Sequence, residues 1–262
     1  MEFVVDGRKI FAATGGQPFK PELPTVAFIH GAGMDHTVWT LQTRYFANHG
    51  RNVLAIDLPG HGVSEGPPQK SIAELAGWMT RFLDAARVDK AALVGHSMGA
   101  LAALETASRA PTRVWALVLL GVAERMAVHP DLLKAARAGE HVALDLIAAW
   151  GFGRRAHLGG ARAPGLWMLG GGVRLLERGQ APALAVDLAA CDAYKDALAA
   201  ADKVRCPTLL LLGDMDRMSP PAAARTLGAR IAGARTIVLQ DTGHMMMVEQ
   251  PDQTLDALAE TV

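Results

Sequence analysis

The segment Gly95-His96-Ser97-Met98-Gly99 sets a serine hydroxyl between two glycines. It follows an apolar run, Ala91–Val94, and opens a stretch of helical spacing that begins at Met98. This context suits a nucleophile carried on a tight, strained strand-to-helix turn, where residues two before and two after must be small so that backbones can approach. The start of the following helix would offer N–H groups to a developing negative charge. A hydroxyl attacks poorly without a base. Among nine histidines, His244 lies in Gln240-Asp241-Thr242-Gly243-His244, just past the last strand-like run and at the same sheet edge as Ser97. His30, His61 and His96 also fall near strand ends. His96 adjoins the nucleophile on a strained turn and should point elsewhere, while His30 and His61 read as hydrogen-bonding their Gly-rich turns. His244 is therefore the favoured base.

A base of this kind needs a carboxylate to hold its other ring nitrogen and fix the tautomer. In Gly213-Asp214-Met215-Asp216-Arg217-Met218-Ser219-Pro220 two aspartates compete for that place. Asp214 also fits a turn residue after a strand. Asp57 ends another strand-like run, precedes Ser97 and opens Gly60-His61-Gly62, so it reads as stabilising that turn. Acyl transfer also requires donors for an oxyanion. One is expected from the N–H of Met98, the other from His30-Gly31-Ala32-Gly33, where the N–H of Ala32 is assigned and Gly31 or Gly33 remain alternatives.

With these motifs in place, the chain resembles the α/β-hydrolase superfamily from about Thr25 to Val262. His30-Gly31-Ala32-Gly33, Asp57-Leu58-Pro59-Gly60-His61-Gly62-Val63-Ser64, Gly95-His96-Ser97-Met98-Gly99, Gly213-x-x-Asp216-x-x-x-Pro220 and Gly243-His244 stand in the family's order. The resemblance puts the acid at the last position of Gly-x-x-Asp, which selects Asp216 over Asp214. It implies a triad of Ser97, Asp216 and His244 acting without metal or cofactor. A serine at the elbow is unlike the family's haloalkane dehalogenases and epoxide hydrolases, which carry an aspartate there. The short His30-Gly31-Ala32-Gly33 form looks like that of carboxylesterases and small-acid methyl-ester esterases.

These side chains must be carried by a particular set of elements. Strand-like runs occur at Met1–Val5 and Lys9–Ala12, joined at Asp6-Gly7, a hairpin signal because both residues tolerate positive φ. Others are Thr25–Ile29, Asn52–Ile56, Ala91–Val94, Val114–Leu120, Thr208–Leu212 and Arg235–Leu239. The later runs are short, nearly all apolar and bounded by Gly, Pro or Asp, as in a parallel sheet covered on both faces. Helical patterns alternate with them at Ser71–Ala86, Met98–Ala110, Pro220–Ile231 and Gln253–Val262. Ser71 reads as an N-cap with Glu74 at capping-box spacing, and Ser219 as an N-cap ahead of Pro220 and Pro221. The expected fold is α/β: a mostly parallel eight-stranded sheet flanked by helices.

The alternation breaks between about Val122 and Lys203, where helical patterns follow one another at roughly Pro130–Trp150, Pro164–Arg178 and Pro182–Ala201. The connectors there are Gly-rich, including Gly170-Gly171-Gly172. The expected division is a core of 1–121 and 204–262 with a helical cap, 122–203, over the carboxyl ends of the strands, where α/β sheets bind ligands. Trp150, Trp167 and Met245 are candidate pocket walls, with Phe152, Met168 and Leu169 beside them, although apolar residues at helical spacing also pack a cap onto its own core. Arg154, Arg155, Arg162, Arg174 and Arg178 read either as a solvated surface or as a dock for an anionic group.

Composition limits the alternatives. The 262 residues are half apolar and one-fifth charged, with 26 basic and 26 acidic side chains. A neutral balance argues against a dedicated nucleic-acid binder. Two cysteines without C-x-x-C spacing make neither a disulfide framework nor a zinc site. Nothing near Met1 reads as a signal peptide, and the apolar run Trp115–Ala123 is too short to span a bilayer. The expectation is a cytoplasmic serine hydrolase that cleaves a small-molecule carboxylic ester, with no membrane or nucleic-acid partner. Two other readings stand beside it: C–C bond hydrolysis of a ring-cleavage product by the same triad, and a ligand-binding protein of the same fold without catalysis.

Overall fold

A computed structural model describes residues 1–161, 166–180 and 182–262. Eight strands form one sheet: β1 (Glu2–Val5), β2 (Arg8–Ala13), β3 (Thr25–Ile29), β4 (Asn52–Ile56), β5 (Ala91–His96), β6 (Val114–Leu120), β7 (Thr208–Gly213) and β8 (Arg235–Leu239). Their spatial order is β1-β2-β4-β3-β5-β6-β7-β8. The β1–β2 and β2–β4 pairings are antiparallel and all others parallel. Asp6 and Gly7 turn the first hairpin with φ of +50° and +75°.

Three α-helices lie before β6: α1 (Thr40–Asn48), α2 (Ile72–Ala85) and α3 (Met98–Arg109). After it come α4 (Pro130–Ala138), α5 (Val142–Gly151), α6 (Arg154–His157), α7 (Met168–Glu177), α8 (Ala183–Ala193) and α9 (Ala197–Ala201). The last three are α10 (Pro221–Arg230), α11 (Met246–Glu249) and α12 (Pro251–Ala259). Central strands bury both faces, so their side chains divide by parity. Ala27, Ile29, Leu117 and Leu119 join the layer of α2, α3 and α9, while Val26, Phe28, Val118 and Leu120 join that of α1 and α12. Burying side chains of this kind contributes roughly 1.5–3 kcal/mol each, which is why the sheet needs a continuous apolar stretch in every central strand.

The sheet order explains where a site can form. The chain runs from β3 outward to β4, then returns to the other side of β3 to make β5. The loops leaving β3 and β5 therefore part in opposite directions, which opens a crevice at the carboxyl edge between them. His30–Gly33 leaves from one side of this crevice and Ser97 from the other.

Between β6 and β7 no strand occurs among the described residues. The helical stretch expected at Pro130–Trp150 is two helices, because Gly139 ends α4 in the left-handed conformation, φ +67°. The Pro182–Ala201 stretch likewise divides into α8 and α9, and α9 packs on α3 and α10. Gly170, Gly171 and Gly172, expected in a connector, lie inside α7. Part of the Pro164–Arg178 stretch, and Arg162, fall outside the described residues. The N-cap at Ser71 is present, with its hydroxyl accepting the Glu74 N–H at 3.1 Å. The Glu74 carboxylate takes the N–H of Lys70 rather than that of Ser71. Ser219 is not a cap: Pro220 holds that position ahead of α10.

Candidate active site

Ser97 occupies the turn between β5 and α3 with φ +53° and ψ −116°, a conformation that costs a non-glycine residue on the order of 1–3 kcal/mol. Its strain is held in place from both sides. The Ser97 N–H donates to the Leu120 carbonyl of β6 at 2.9 Å, and the Ser97 carbonyl accepts from Ala100 at 2.9 Å. A side chain at Gly95 would overlap the Gly99 carbonyl, and one at Gly99 would overlap Ile29 and His30 of the neighbouring strand. This is the packing reason for the two glycines of the motif. Met98 is the first residue of α3, so its N–H has no carbonyl one helical turn earlier to bond.

The Ala32 N–H makes no hydrogen bond among the described residues, and its orientation follows from the peptide it belongs to. The Gly31 carbonyl of that peptide accepts the Met34 N–H at 3.2 Å and the His30 Nδ1–H at 2.8 Å. In a trans peptide the N–H points opposite the carbonyl, so clamping one aims the other. His30 Nε2 accepts the Leu58 N–H at 3.1 Å, so the ring is neutral. Burial and the neighbouring charge of His61 lower its pKa to about 4.

Beyond β6, at the same carboxyl edge of the sheet, His244 and Asp216 meet. His244 Nδ1 lies 2.7 Å from Asp216 Oδ2, and both side chains are almost wholly buried. Asp216 Oδ1 accepts the N–H groups of Met218 and Ser219, each at 2.8 Å. The Ser219 hydroxyl donates to Oδ2 at 2.8 Å. Burial alone would raise the Asp216 pKa, but the charge and hydrogen bond of His244, with the two Ser219 donors, bring it down to about 2. Asp214, the competing carboxylate, is exposed and accepts the Thr242 N–H at 3.0 Å. It holds the turn that the sequence also allowed for it.

With Nδ1 committed to the acid, His244 Nε2 is buried and has no hydrogen-bond partner among the described residues. His244 and Ser97 both line one cavity of about 650 Å³, within the usual range for small-molecule sites. Gly121, at the end of β6, lies against the imidazole: a Cβ there would stand 2.8 Å from Cε1 and 2.9 Å from Nδ1 of His244. The His244 N–H donates to the Gly151 carbonyl of α5 at 2.6 Å. His96 Nε2 donates to the His244 carbonyl at 2.9 Å, so the rival histidine supports the backbone of His244. Glu249 joins Gly153 and Gly243 by accepting an N–H from each, at 2.8 and 3.0 Å.

Of the expected pocket walls, Trp150 and Met245 line the cavity, together with Phe152. Trp167 does not: it precedes α7, is 67% exposed, and lies against Gly170. Met168 is buried in the core without reaching the cavity. Asp57 serves its own turn, accepting from the His36 N–H and ring at 2.8 Å and from the Val63 N–H at 3.0 Å. Asp35, His36 and Asp57 cluster closely enough to suggest a cation site. Their donors argue otherwise, because Thr37 and Arg178 take the Asp35 oxygens and His36 and Val63 those of Asp57. Within the arginine group, Arg174 pairs with Glu177, Arg178 with Asp35, and Arg155 donates to the Gly160 carbonyl.

Sequence comparison decides the family. A model of the Alpha/beta hydrolase family matches residues 26–257. The chain belongs to that family. This hydrolase is 38% identical over 120 residues to a dihydrolipoyllysine-residue acetyltransferase component of the acetoin cleaving system from Cupriavidus necator. That match covers 44% of the chain and only 30% of the longer relative. It is 30% identical over 252 residues to a pimeloyl-[acyl-carrier protein] methyl ester esterase from Aromatoleum aromaticum, covering 87% of the chain and 94% of that protein. The structure of the enol-lactonase from Burkholderia xenovorans LB400 superposes with a TM-score of 0.88 at 24% identity, covering 99% and 98% of the two chains. The fold is thus that of an α/β-hydrolase, and the enzyme is a hydrolase. Among the described residues no helix is long and apolar enough to cross a membrane.

Proposed function

We propose that this hydrolase cleaves carboxylic esters of small or medium-sized molecules through a covalent acyl-enzyme on Ser97. The observation that carries the reading is the free Nε2 of buried His244 in the cavity that Ser97 also lines. In the proposed cycle His244 takes the Ser97 proton as Oγ attacks the carbonyl carbon. Asp216 keeps Nδ1 protonated and supports the imidazolium, while the N–H groups of Ala32 and Met98 stabilise the tetrahedral oxyanion. His244 then returns its proton to the leaving alcohol, and water repeats the sequence on the acyl-enzyme. In the second half the attacking water gives its proton to His244, which returns it to Ser97 Oγ as the carboxylic acid leaves.

Residues 122–203 act in this reading as a cap on a core of 1–121 and 204–262, and Trp150, Phe152 and Met245 form acyl-pocket walls. The methyl ester esterase named above supports ester chemistry, because it matches nearly the whole chain. The test is kcat/KM on p-nitrophenyl esters of increasing acyl length, for wild type and Ser97→Ala together. Turnover that depends on Ser97, falling by about 10⁴-fold or more in the variant, is expected. Equal rates in the two proteins would refute the reading and return the C–C hydrolase and the non-catalytic binder to consideration.

A further inference from the structure

A carboxylate from the segment between β6 and β7 reaches the loop that carries Ala32. Asp187 lies on α8 and is 1% exposed. Its Oδ2 accepts the Gly33 N–H at 2.9 Å and faces His61 Nε2 at 2.8 Å. The other ring nitrogen of His61 lies 3.0 Å from the Pro59 carbonyl. Both nitrogens thus face oxygens that only accept, and only the imidazolium can give each a proton. Burial opposes that charge, but Asp187, the Pro59 carbonyl and more distant Asp57 outweigh it and raise the His61 pKa. His30, whose ring centroid is 4.9 Å from that of His61, is the neutral partner described above. A cationic histidine and a carboxylate are therefore sealed together where α8 meets the β3 and β4 loops.

The two peptides flanking Ala32 are held from different parts of the chain. His30 and Met34 hold the Gly31 carbonyl on the N-terminal side, and Asp187 holds the Gly33 N–H on the C-terminal side. Leu184, on the same helix as Asp187, packs so closely on Gly33 that a Cβ there would stand 2.9 Å from its Cδ1. We propose that Asp187, paired with protonated His61, is a positioning residue that holds the Ala32 N–H in its oxyanion-binding orientation. The proposal rests on the serine-hydrolase reading above. It predicts an alkaline limit on catalysis. When His61 loses its Nε2 proton, while Nδ1–H stays on Pro59, two acceptors face each other at 2.8 Å and the clamp on Gly33 loosens.

The experiment measures kcat and KM on one p-nitrophenyl ester from pH 5 to 10, with active sites counted by a p-nitrophenyl phosphonate and folding checked by thermal melting. The variants are Asp187→Ala, Asp187→Asn and His61→Gln, with Ser97→Ala and Arg178→Ala alongside. Arg178 ties the same segment to Asp35 at 3.3 Å without touching a loop amide. A donor displaced by about 1 Å costs on the order of 100-fold, so Asp187→Ala should lose about 10- to 100-fold in kcat with KM nearly unchanged. Asp187→Asn keeps the volume and one carbonyl, so it should fold and lose less. In Asp187→Asn and His61→Gln the alkaline decline of wild-type kcat should vanish, and Arg178→Ala should stay within about 3-fold of wild type. A folded Asp187→Asn with wild-type kcat and an unaltered alkaline limb would overturn the proposal. So would an Arg178→Ala loss equal to that of Asp187→Ala, since loosening of the whole segment would then suffice. Turnover independent of Ser97 would refute the parent reading and this inference with it. Ser97-dependent turnover with indifferent Asp187 variants would refute the inference alone.

Discussion

Replacing Gly121 by alanine separates damage to the fold from damage to the site. Gly121 sits at φ +57°, so alanine costs about 1–2 kcal/mol in backbone strain. The added methyl would stand 2.8 Å from Cε1 and 2.9 Å from Nδ1 of His244, where carbon contacts prefer ~3.5–4.0 Å. The imidazole must then retreat by about 1 Å, although it is hemmed in by the His96 ring, 4.6 Å away, and bonded to Asp216 at 2.7 Å. Overpacking of this kind adds about 1–3 kcal/mol, which a domain stable by roughly 5–15 kcal/mol survives. Displacing the base by about 1 Å should lower kcat on the order of 100-fold. Gly139→Ala is the matched control: φ is +67°, but no atom lies within 4 Å of the new Cβ. It should lose the backbone term alone and keep wild-type kcat. The assay is ester turnover per phosphonate-titrated site, with urea unfolding of each variant. A folded Gly121→Ala enzyme within about 3-fold of wild-type kcat would refute the claim that this glycine sets the position of the base.

Three other outcomes can be checked with the same substrates. Asp216→Asn should lower kcat by about 10³–10⁴-fold, because an amide no longer holds the productive tautomer. Asp214→Asn should stay within about 3-fold, since its amide oxygen still accepts from Thr242; the reverse ranking would overturn the choice of acid. Trp150→Ala should raise KM for long acyl esters by about 10-fold while Trp167→Ala leaves it unchanged, and equal effects would count against the cavity as the acyl site. His30 makes stability depend on pH. Its pKa falls from 6.5 to about 4 on folding, so the unfolded chain binds the proton more tightly in that window. The stabilisation is complete above pH 6.5 and declines as pH drops toward 4, by about 3 kcal/mol at ~1.4 kcal/mol per pH unit. Asp216, lowered from 3.8 to about 2, adds a loss confined to more acid pH. His61, whose pKa is raised, acts in the opposite direction: its contribution is present below 6.5 and lost as pH rises through its folded value. Urea unfolding that is flat between pH 6.5 and 4.5 would contradict the His30 assignment.

What could be read from the sequence was whatever local pattern determines. The central strands were visible because a buried strand must be apolar along its length and must end in a turn residue, while β1 and β2, half exposed, showed through the Asp6-Gly7 turn between them. Ser97 was visible because its turn needs glycine on both sides. The helices between β6 and β7 were harder, since α4 and α5 are separated by only three residues, turned by left-handed Gly139. Trp167 and Trp150 look alike as aromatics at helical spacing, and only tertiary packing sends one outward and the other to the cavity. Ser219 is the most instructive case. A serine before two prolines has the local form of a helix cap, yet its hydroxyl goes to Asp216 Oδ2. Two local rules met at one hydroxyl, and the buried carboxylate prevailed because an unmet charge costs far more than an open helix end.

The same distinction locates the parts of the site that spacing could not reveal. Ser97, Asp216 and His244 supply the reacting groups in the proposed cycle, but their alignment depends on bonds between distant positions. The base's own N–H is held by Gly151, and Glu249 joins Gly153 to Gly243 beside it. On the opposite wall Asp187 holds Gly33, 154 residues away in the chain. Both walls of the crevice are therefore tied to the segment between β6 and β7. If that segment were only a cover over a finished site, its removal or reshaping would change which esters enter and leave the chemical step intact. The hydrogen bonds to Gly33 and His244 argue for more. Substitutions at α5 or α8 that break these bonds should lower kcat, because they move the backbone of the loops that carry the proposed oxyanion donor and the proposed base.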